Sequence, residues 1–321
     1  MTAKTFTAKT AKTATPKVDV YERVTAAIVA ALEAGTRPWM QPWNAAHAAG
    51  PISRPLRHDG TPYRGVNVLL LWMAAMDNGY LAPHWMTYKQ GQELGGQVRK
   101  GEHGSLVVFA NAIQRTETDE KTGEEVEIEI PFMKGYTVFN TDQIDGLPDR
   151  YHATAPAPVL SDAERSARLD AFFAATGIAV RYGGDRAFYD LGEDRIQMPP
   201  FAVFHDPASF YATWAHETVH ATCHPSRLNR DLNGQRWGDA GYAMEELVAE
   251  IGSAFLGAAL GFAPQVMENH AAYVDCWVRI LAGDQRALFT AASHAQKAAD
   301  FLLARADASA DAAEEYRRLA A

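Results

Sequence analysis

The chain has 321 residues, is 47% hydrophobic, carries a formal net charge of −9 and contains only two cysteines, Cys223 and Cys276. This length accommodates two domains, the apolar content is that of a globular protein, and two cysteines exclude a disulfide framework. No apolar run approaches the roughly 20 residues of a membrane-spanning helix and the first residues show no secretory pattern, so no membrane partner and a cytoplasmic location are expected.

Charge is unevenly spread. Up to Lys100, twelve Lys and Arg stand against six Asp and Glu, whereas TETDEKTGEEVEIEI (116–130) holds seven acids and one lysine. A basic first third suits a phosphate backbone, and a scattered solvated surface is the plain alternative. Residues 1–17 repeat Thr-Ala-Lys and are expected to form a disordered basic tail. VDVYERVTAAIVAALEA (18–34) has apolar residues at helical spacing, with Gly35 as a stop. The two Pro-Trp pairs of RPWMQPW (37–43) exclude helix interior. Gly65 to Asn78 predicts a buried helix with Trp72 in the core. LGGQVRKGEHG (94–104) reads as a Gly-rich basic turn. SLVVFA (105–110) and EVEIEI (125–130) predict a hairpin across the acidic turn, and GYTVFN (135–140) a further strand.

HATAPAPVL, at 152–160, breaks both periods and predicts a linker between an N-terminal domain (18–151) and a C-terminal one (161–321). A helix from Ser161 follows, then a hairpin of AFYD and RIQM around LGED, and mostly helix beyond Asp206. The fold class expected is α+β, with a mainly helical C-terminal half.

Asp206-Pro207 offers an N-cap acid before a proline at the first helical position. On that helix TWAHETVHATCHPSRL sets His216 and His220 four apart on one face, with Glu217 beside the first. Two imidazoles at this spacing can converge on one zinc, and the glutamate can act as general base; histidines bonded within a core are the bland alternative. His224 stands about 12 Å along the axis from His216, too far to share an ion. In YAMEELVAEIGSAFL (242–256), Glu246 and Glu250 lie four apart on one stripe, while Glu245 points roughly 100° away. This is the gluzincin arrangement: Glu246 binds the metal and Glu250 accepts from a ligand histidine's free N–H. A solvated acidic face is the alternative. Zinc is the chemical default for two histidines and a glutamate, and manganese or another divalent ion also fits.

HETVHATCHPSRLNRDL followed by YAMEELVAEIGSAFLG resembles the metallopeptidase-like domain of ArdC-type antirestriction proteins. RPWMQPW, YRGVNVLLLW, WMTYKQGQELGGQVRKGEHG and YTVFNTDQIDGLP resemble that family's single-stranded DNA-binding domain, and the likeness covers nearly all of the chain outside the lysine tail. The resemblance implies a protein that binds single-stranded DNA and protects incoming plasmid or mobile-element DNA from restriction, perhaps crossing with it to a recipient cell. It also implies a C-terminal zincin with His216, His220 and Glu246 on the metal, Glu217 in catalysis and a protein or peptide substrate. Aromatic side chains along a basic groove are what single strands bind. Arg37, Trp39, Trp43, Arg54, Arg57, Arg64, Lys89, Arg99 and Lys100 are the candidates, with the two Pro-flanked tryptophans expected at the surface. An acidic mimic of DNA that blocks a restriction enzyme, or a metalloprotease without a DNA role, are the other readings.

Overall fold

A computed structural model describes residues 19–40, 54–118, 125–152, 162–230, 240–262 and 271–319. The expected tail at 1–17, residues 153–160 of the expected linker and Trp43 lie outside these, as do the side chains of the acidic cluster from Glu117 to Glu129.

Val24, Ile28 and Leu32 recur at helical spacing and are buried on one side of α1 (Val20–Glu33), which Asp19 caps. Next come β1 (Leu56–Arg57), the predicted buried helix α2 (Val66–Asn78), β2 (His84–Met86) and α3 (Tyr88–Glu93), a short helix closed by a Thr87–Gln90 capping box. β3 (Gln97–Val98) pairs with β6 (Ile144–Asp145), and between them in sequence run the long strands β4 (Ser105–Thr118) and β5 (Glu125–Asn140). The main sheet has the order β1-β2-β5-β4, with β4 and β5 antiparallel along their whole length.

Here the structure corrects an expectation. EVEIEI and GYTVFN are one continuous strand, with Pro131 opposite Ala112. β2 pairs with β5 only at Phe139 and Asn140. Around Pro131 the strand has one neighbour, so a residue lacking an N–H can turn its nitrogen to the unpaired edge.

The C-terminal half begins with α4 (Asp162–Ala175) and a small sheet in which β9 (Arg195–Met198) lies between β7 (Ala179–Tyr182) and β8 (Phe188–Asp190). The β8–β9 hairpin was expected from the sequence; the parallel partner β7 was not. Four helices follow: α5 (Pro207–Ala221), α6 (Ala240–Leu260), α7 (Ala271–Gly283) and α8 (Ala287–Leu319). α6 packs against α5, α7 and α8 and is buried nearly all round. Among the described residues no helix is long and apolar enough to cross a membrane.

Buried residues of both halves form one continuous cluster. α1 packs chiefly on α7: Thr25 Oγ1 donates to the Gln285 carbonyl at 2.9 Å and the Tyr21 ring meets Phe289 edge-on at 4.7 Å. Trp72, in the core as expected, meets Phe255 of α6 at 5.9 Å.

Close approach of α5 and α6 depends on a glycine. A Cβ added at Gly252 would stand 2.8 Å from Val219 Cγ1, so any larger residue pushes the two helices apart. Overpacking of this kind costs about 1–3 kcal/mol, and the gain in helix propensity returns about 1 kcal/mol. Gly252→Ala should therefore lower unfolding free energy in denaturant titration; equal or greater stability would show that α5 yields freely.

Candidate metal centre

α5 starts where Asp206 Oδ1 accepts from the Ser209 amide at 2.7 Å, with Pro207 in the first turn. Its regular winding stacks His216 and His220, whose Nε2 atoms stand 3.0 Å apart with ring planes 79° from parallel. Glu246 comes across from α6: its Oε2 lies 3.5 Å from His216 Nε2 and its Oε1 3.6 Å from His220 Nε2. Among the described residues these three form the group whose donor atoms all fall within 4.8 Å of one another.

Two nitrogens bound tetrahedrally to one zinc at about 2.05 Å would be about 3.3 Å apart. The three separations bracket that value, so the residues fit a divalent metal without rearrangement. Nitrogen lone pairs and a carboxylate turned towards one point also repel each other unless a proton or a cation lies between them. His216 and Glu246 are buried, which removes water as a screen.

Glu217 is buried too, and its charge is among those felt by His220. Burial pulls the His220 ring towards neutrality, but Glu246, Glu245 and Glu217 outweigh it and push its pKa up to about 9. His224 sits in the turn after α5, bonded to Ser226 Oγ at 2.7 Å, outside the group.

One neighbour was misjudged from the sequence. Glu245, expected to point away, sets its Oε1 3.2 Å from His220 Nδ1. The roughly 100° offset from Glu246 carries it around to the other nitrogen of the ring. Arg230 grips the Glu245 carboxylate through Nε at 2.7 Å and Nη2 at 2.5 Å, and its Nη1 donates to Thr222 Oγ1 at 2.9 Å. Burial resists ionisation of Glu245, yet Arg230 and His220 hold its pKa below the ordinary value. Arg230 stands in the quoted NRDL stretch, but only the return of the chain onto α5 reveals its partner. Tyr242, one turn before Glu246 on α6, hydrogen-bonds Glu246 and Tyr273; burial raises its pKa, and that of Tyr273 rises to about 12.

Glu250, one turn beyond Glu246, is buried as well. Its Oε2 accepts from Trp39 Nε1 at 3.1 Å, and its Oε1 lies 3.9 Å from Arg37 Nη1. This corrects the expectation of a surface Trp39: the ring is 1% exposed and packs edge-on against Trp277 at 5.8 Å. Arg37 likewise faces the metal helices instead of an open groove. Arg54 and Arg64 also meet the C-terminal half, Arg54 Nη2 donating to Gln296 Oε1 and Arg64 pairing with Asp300. Arg57, Lys89, Arg99 and Lys100 are exposed; Arg57 lies over the Tyr63 ring at 5.5 Å, Lys89 pairs with Glu93, and Arg99 with Glu102 and Asp145.

Known proteins resemble this chain over both halves. Residues 18–139 match the family described as the N-terminal domain of anti-restriction factor ArdC, and residues 167–294 match the zincin-like metallopeptidase family. An uncharacterized Sinorhizobium fredii protein, y4eC, is 44% identical over 91% of this chain and 94% of its own length. A DNA primase TraC of Escherichia coli is 39% identical over 90% of this chain, which spans only 27% of that relative. The crystal structure of antirestriction protein ArdC from plasmid R388, metal-free, shares 49% identity with a TM-score of 0.75, covering 90% of this chain and 98% of that one. Its Mn(II)-bound structure gives 48% and 0.74, with the same coverage.

Replacing the carboxylate behind a ligand histidine weakens metal binding by roughly 10–100-fold. Glu245→Ala should do so in a chelator competition, and unchanged affinity would make the Glu245–His220 contact irrelevant to the metal. A pH dependence follows as well. His220 holds its proton more tightly folded than at its ordinary value of 6.5. In metal-free protein that contribution to stability is full below pH 6.5 and lost as pH rises through about 9. The metal requires the neutral ring, so its affinity moves the other way, by up to about tenfold per pH unit. Melting of stripped protein and zinc titration across this range should show opposite trends.

Proposed function

This chain belongs to the ArdC family of antirestriction proteins, and on that premise we propose that it binds single-stranded DNA through its N-terminal half and shields incoming mobile-element DNA from restriction. The observation that carries this reading is its 49% identity to a plasmid antirestriction protein over 98% of that protein's chain. Relatives named as DNA primases fit a nucleic-acid role. With Arg37, Trp39, Arg54 and Arg64 turned towards the C-terminal half, the exposed cations Arg57, Lys89, Arg99 and Lys100 are the ones left for phosphates. Tyr88, 43% exposed beside Lys89, and Phe109, 47% exposed, offer rings on which bases can stack, each stack worth about 1–3 kcal/mol.

The C-terminal half is read as a divalent-metal peptidase. A cation held by His216, His220 and Glu246 would supply a Lewis acid that makes water nucleophilic and polarises a peptide carbonyl. Glu217, buried on the same helix, would take the proton of the attacking water and deliver it to the leaving amine. Tyr242 steadies the Glu246 carboxylate, and the Arg230–Glu245 pair fixes the orientation of the His220 ring and favours the tautomer with its proton on Nδ1.

Binding of the full-length protein to a single-stranded oligonucleotide should weaken steeply with salt and survive Glu217→Gln. Each phosphate contact on a single strand contributes about −0.7 to the log–log salt slope. Exchanging Arg57, Lys89 and Lys100 together for Gln should therefore flatten the slope by about 2 and abolish protection of DNA in a restriction assay. A protein that ignores oligonucleotides and binds the restriction enzyme would instead be a mimic. Glu217→Gln should keep its metal and lose about 10²–10⁴-fold of peptide hydrolysis.

A further inference from the structure

Arg37 and Trp39 lie within the stretch that matches the N-terminal ArdC domain (18–139), yet both reach the helix that carries the metal-binding glutamate. Trp39 Nε1 donates to Glu250 Oε2, and the indole is wedged against Trp277 of α7. Trp277 in turn donates its own Nε1–H to the Ala243 carbonyl at 2.7 Å, three residues before Glu246. The turn of α6 bearing Glu246 is thus held on one side at Ala243 and on the other at Glu250. Both attachments converge on one edge-to-face tryptophan pair.

We propose that Arg37 and Trp39 are positioning residues of the metal centre, so that the metal site is completed by chain from the N-terminal half. The proposal rests on the reading of His216, His220 and Glu246 as metal ligands. Its physical basis is the burial of Glu250, 3% exposed, inside the helical layer. A carboxylate there needs donors aimed at it; the indole N–H and the guanidinium provide two from outside the helix bundle. Without them Glu250 must turn towards water or take up a proton. Either change rotates or loosens the segment on which Glu246 lies one helical turn away. Donor atoms set 3.5 and 3.6 Å from their histidine partners tolerate little displacement before one ligand is lost.

The anchorage is not local to these two residues. The strap from α1 onward touches the C-terminal half again at Thr25 and, beyond residue 53, at Arg54 and Arg64. Those contacts do not involve α6 near Glu246, and they serve as the control.

The test is metal affinity and geometry in full-length protein. Trp39→Phe keeps the aromatic packing on Trp277 and removes only the N–H donor. It should weaken zinc binding at least tenfold in a chelator competition run well below its melting temperature. It should also alter the visible absorption bands of the cobalt-substituted protein, which report ligand geometry. Gln296→Ala, which removes the acceptor of Arg54 and of the Gly65 amide, should leave both readouts unchanged. In a Glu250→Gln background, adding Trp39→Phe should cost little further, because the residue it acts through is already altered. Should Trp39→Phe fail to fold, Arg37→Gln carries the same expectation in smaller measure, about three- to tenfold. Wild-type zinc affinity and cobalt spectrum in the Trp39 or Arg37 variant overturn the proposal, as do fully additive losses with Glu250→Gln. Glu246→Ala separates the two levels: if it too retains metal, the ligand set itself is wrong; if it alone loses metal, the ligand set stands and the positioning role falls.

Discussion

A concentration of buried carboxylates governs the C-terminal half. Glu217, Glu246 and Glu250 are all buried on two packed helices, and Glu245 is largely covered beside them. An isolated carboxylate removed from water is too costly to stay ionised, so each must find a cation, donors or a proton. Arg230 answers Glu245, and Arg37 faces Glu250. Those six groups leave two negative charges, which is the charge that one divalent ion would neutralise. In the absence of an ion, the raised proton affinity of His220 is the same demand met by partial means. The helix pair α5 and α6 can approach closely enough for this only because Gly252 presents no side chain to Val219.

The same rule extends across the two halves of the chain. Excess positive charge in the first third invites a nucleic-acid reading, yet Arg37, Arg54 and Arg64 each meet an acid or an amide of the C-terminal helices. Composition counts charges without regard to what faces them. A guanidinium that balances a buried carboxylate contributes almost nothing to the potential a phosphate would feel several Å away. The basic residues that still shape the outer field are those with solvent around them: Arg57, Lys89, Arg99 and Lys100. Of these, Arg99 is partly neutralised by Glu102 and Asp145. The electrostatic case for DNA therefore rests on fewer residues than the sequence suggested, and the family relationship bears more of the weight.

What the sequence made legible follows from range. His216, Glu217 and His220 lie within one helical turn and a bit, so helix period alone sets their faces, and the Asp206-Pro207 start is equally local. Glu246 was reachable because a second amphipathic helix offers few positions from which an acid can meet the first. Trp39 was not reachable: a tryptophan between prolines looks alike whether it stacks on a base or plugs a core, and its partner stands 211 residues away. The fused strand β5 escaped notice because Pro131 is tolerated only where the sheet has no neighbour on one side, a property of topology and not of the segment itself.

Glu245 shows most clearly why a helical wheel drawn for one helix is insufficient. Drawn alone, it separates consecutive residues by about 100° and assigns one to the partner helix and the other to solvent. An imidazole lying across the groove changes that assignment, because its two nitrogens point in strongly divergent directions. Consecutive carboxylates on a single helix can then hold opposite ends of one ring: Glu246 approaches Nε2 of His220 while Glu245 takes Nδ1. Neither residue could do both, and a spacing of three or four would bring both acids to the same nitrogen. The Glu-Glu pair thus supplies a metal ligand and the orientation of its neighbouring ligand in two adjacent positions. Arg230, by fixing Glu245 through two nitrogens, turns that orientation into a rigid one.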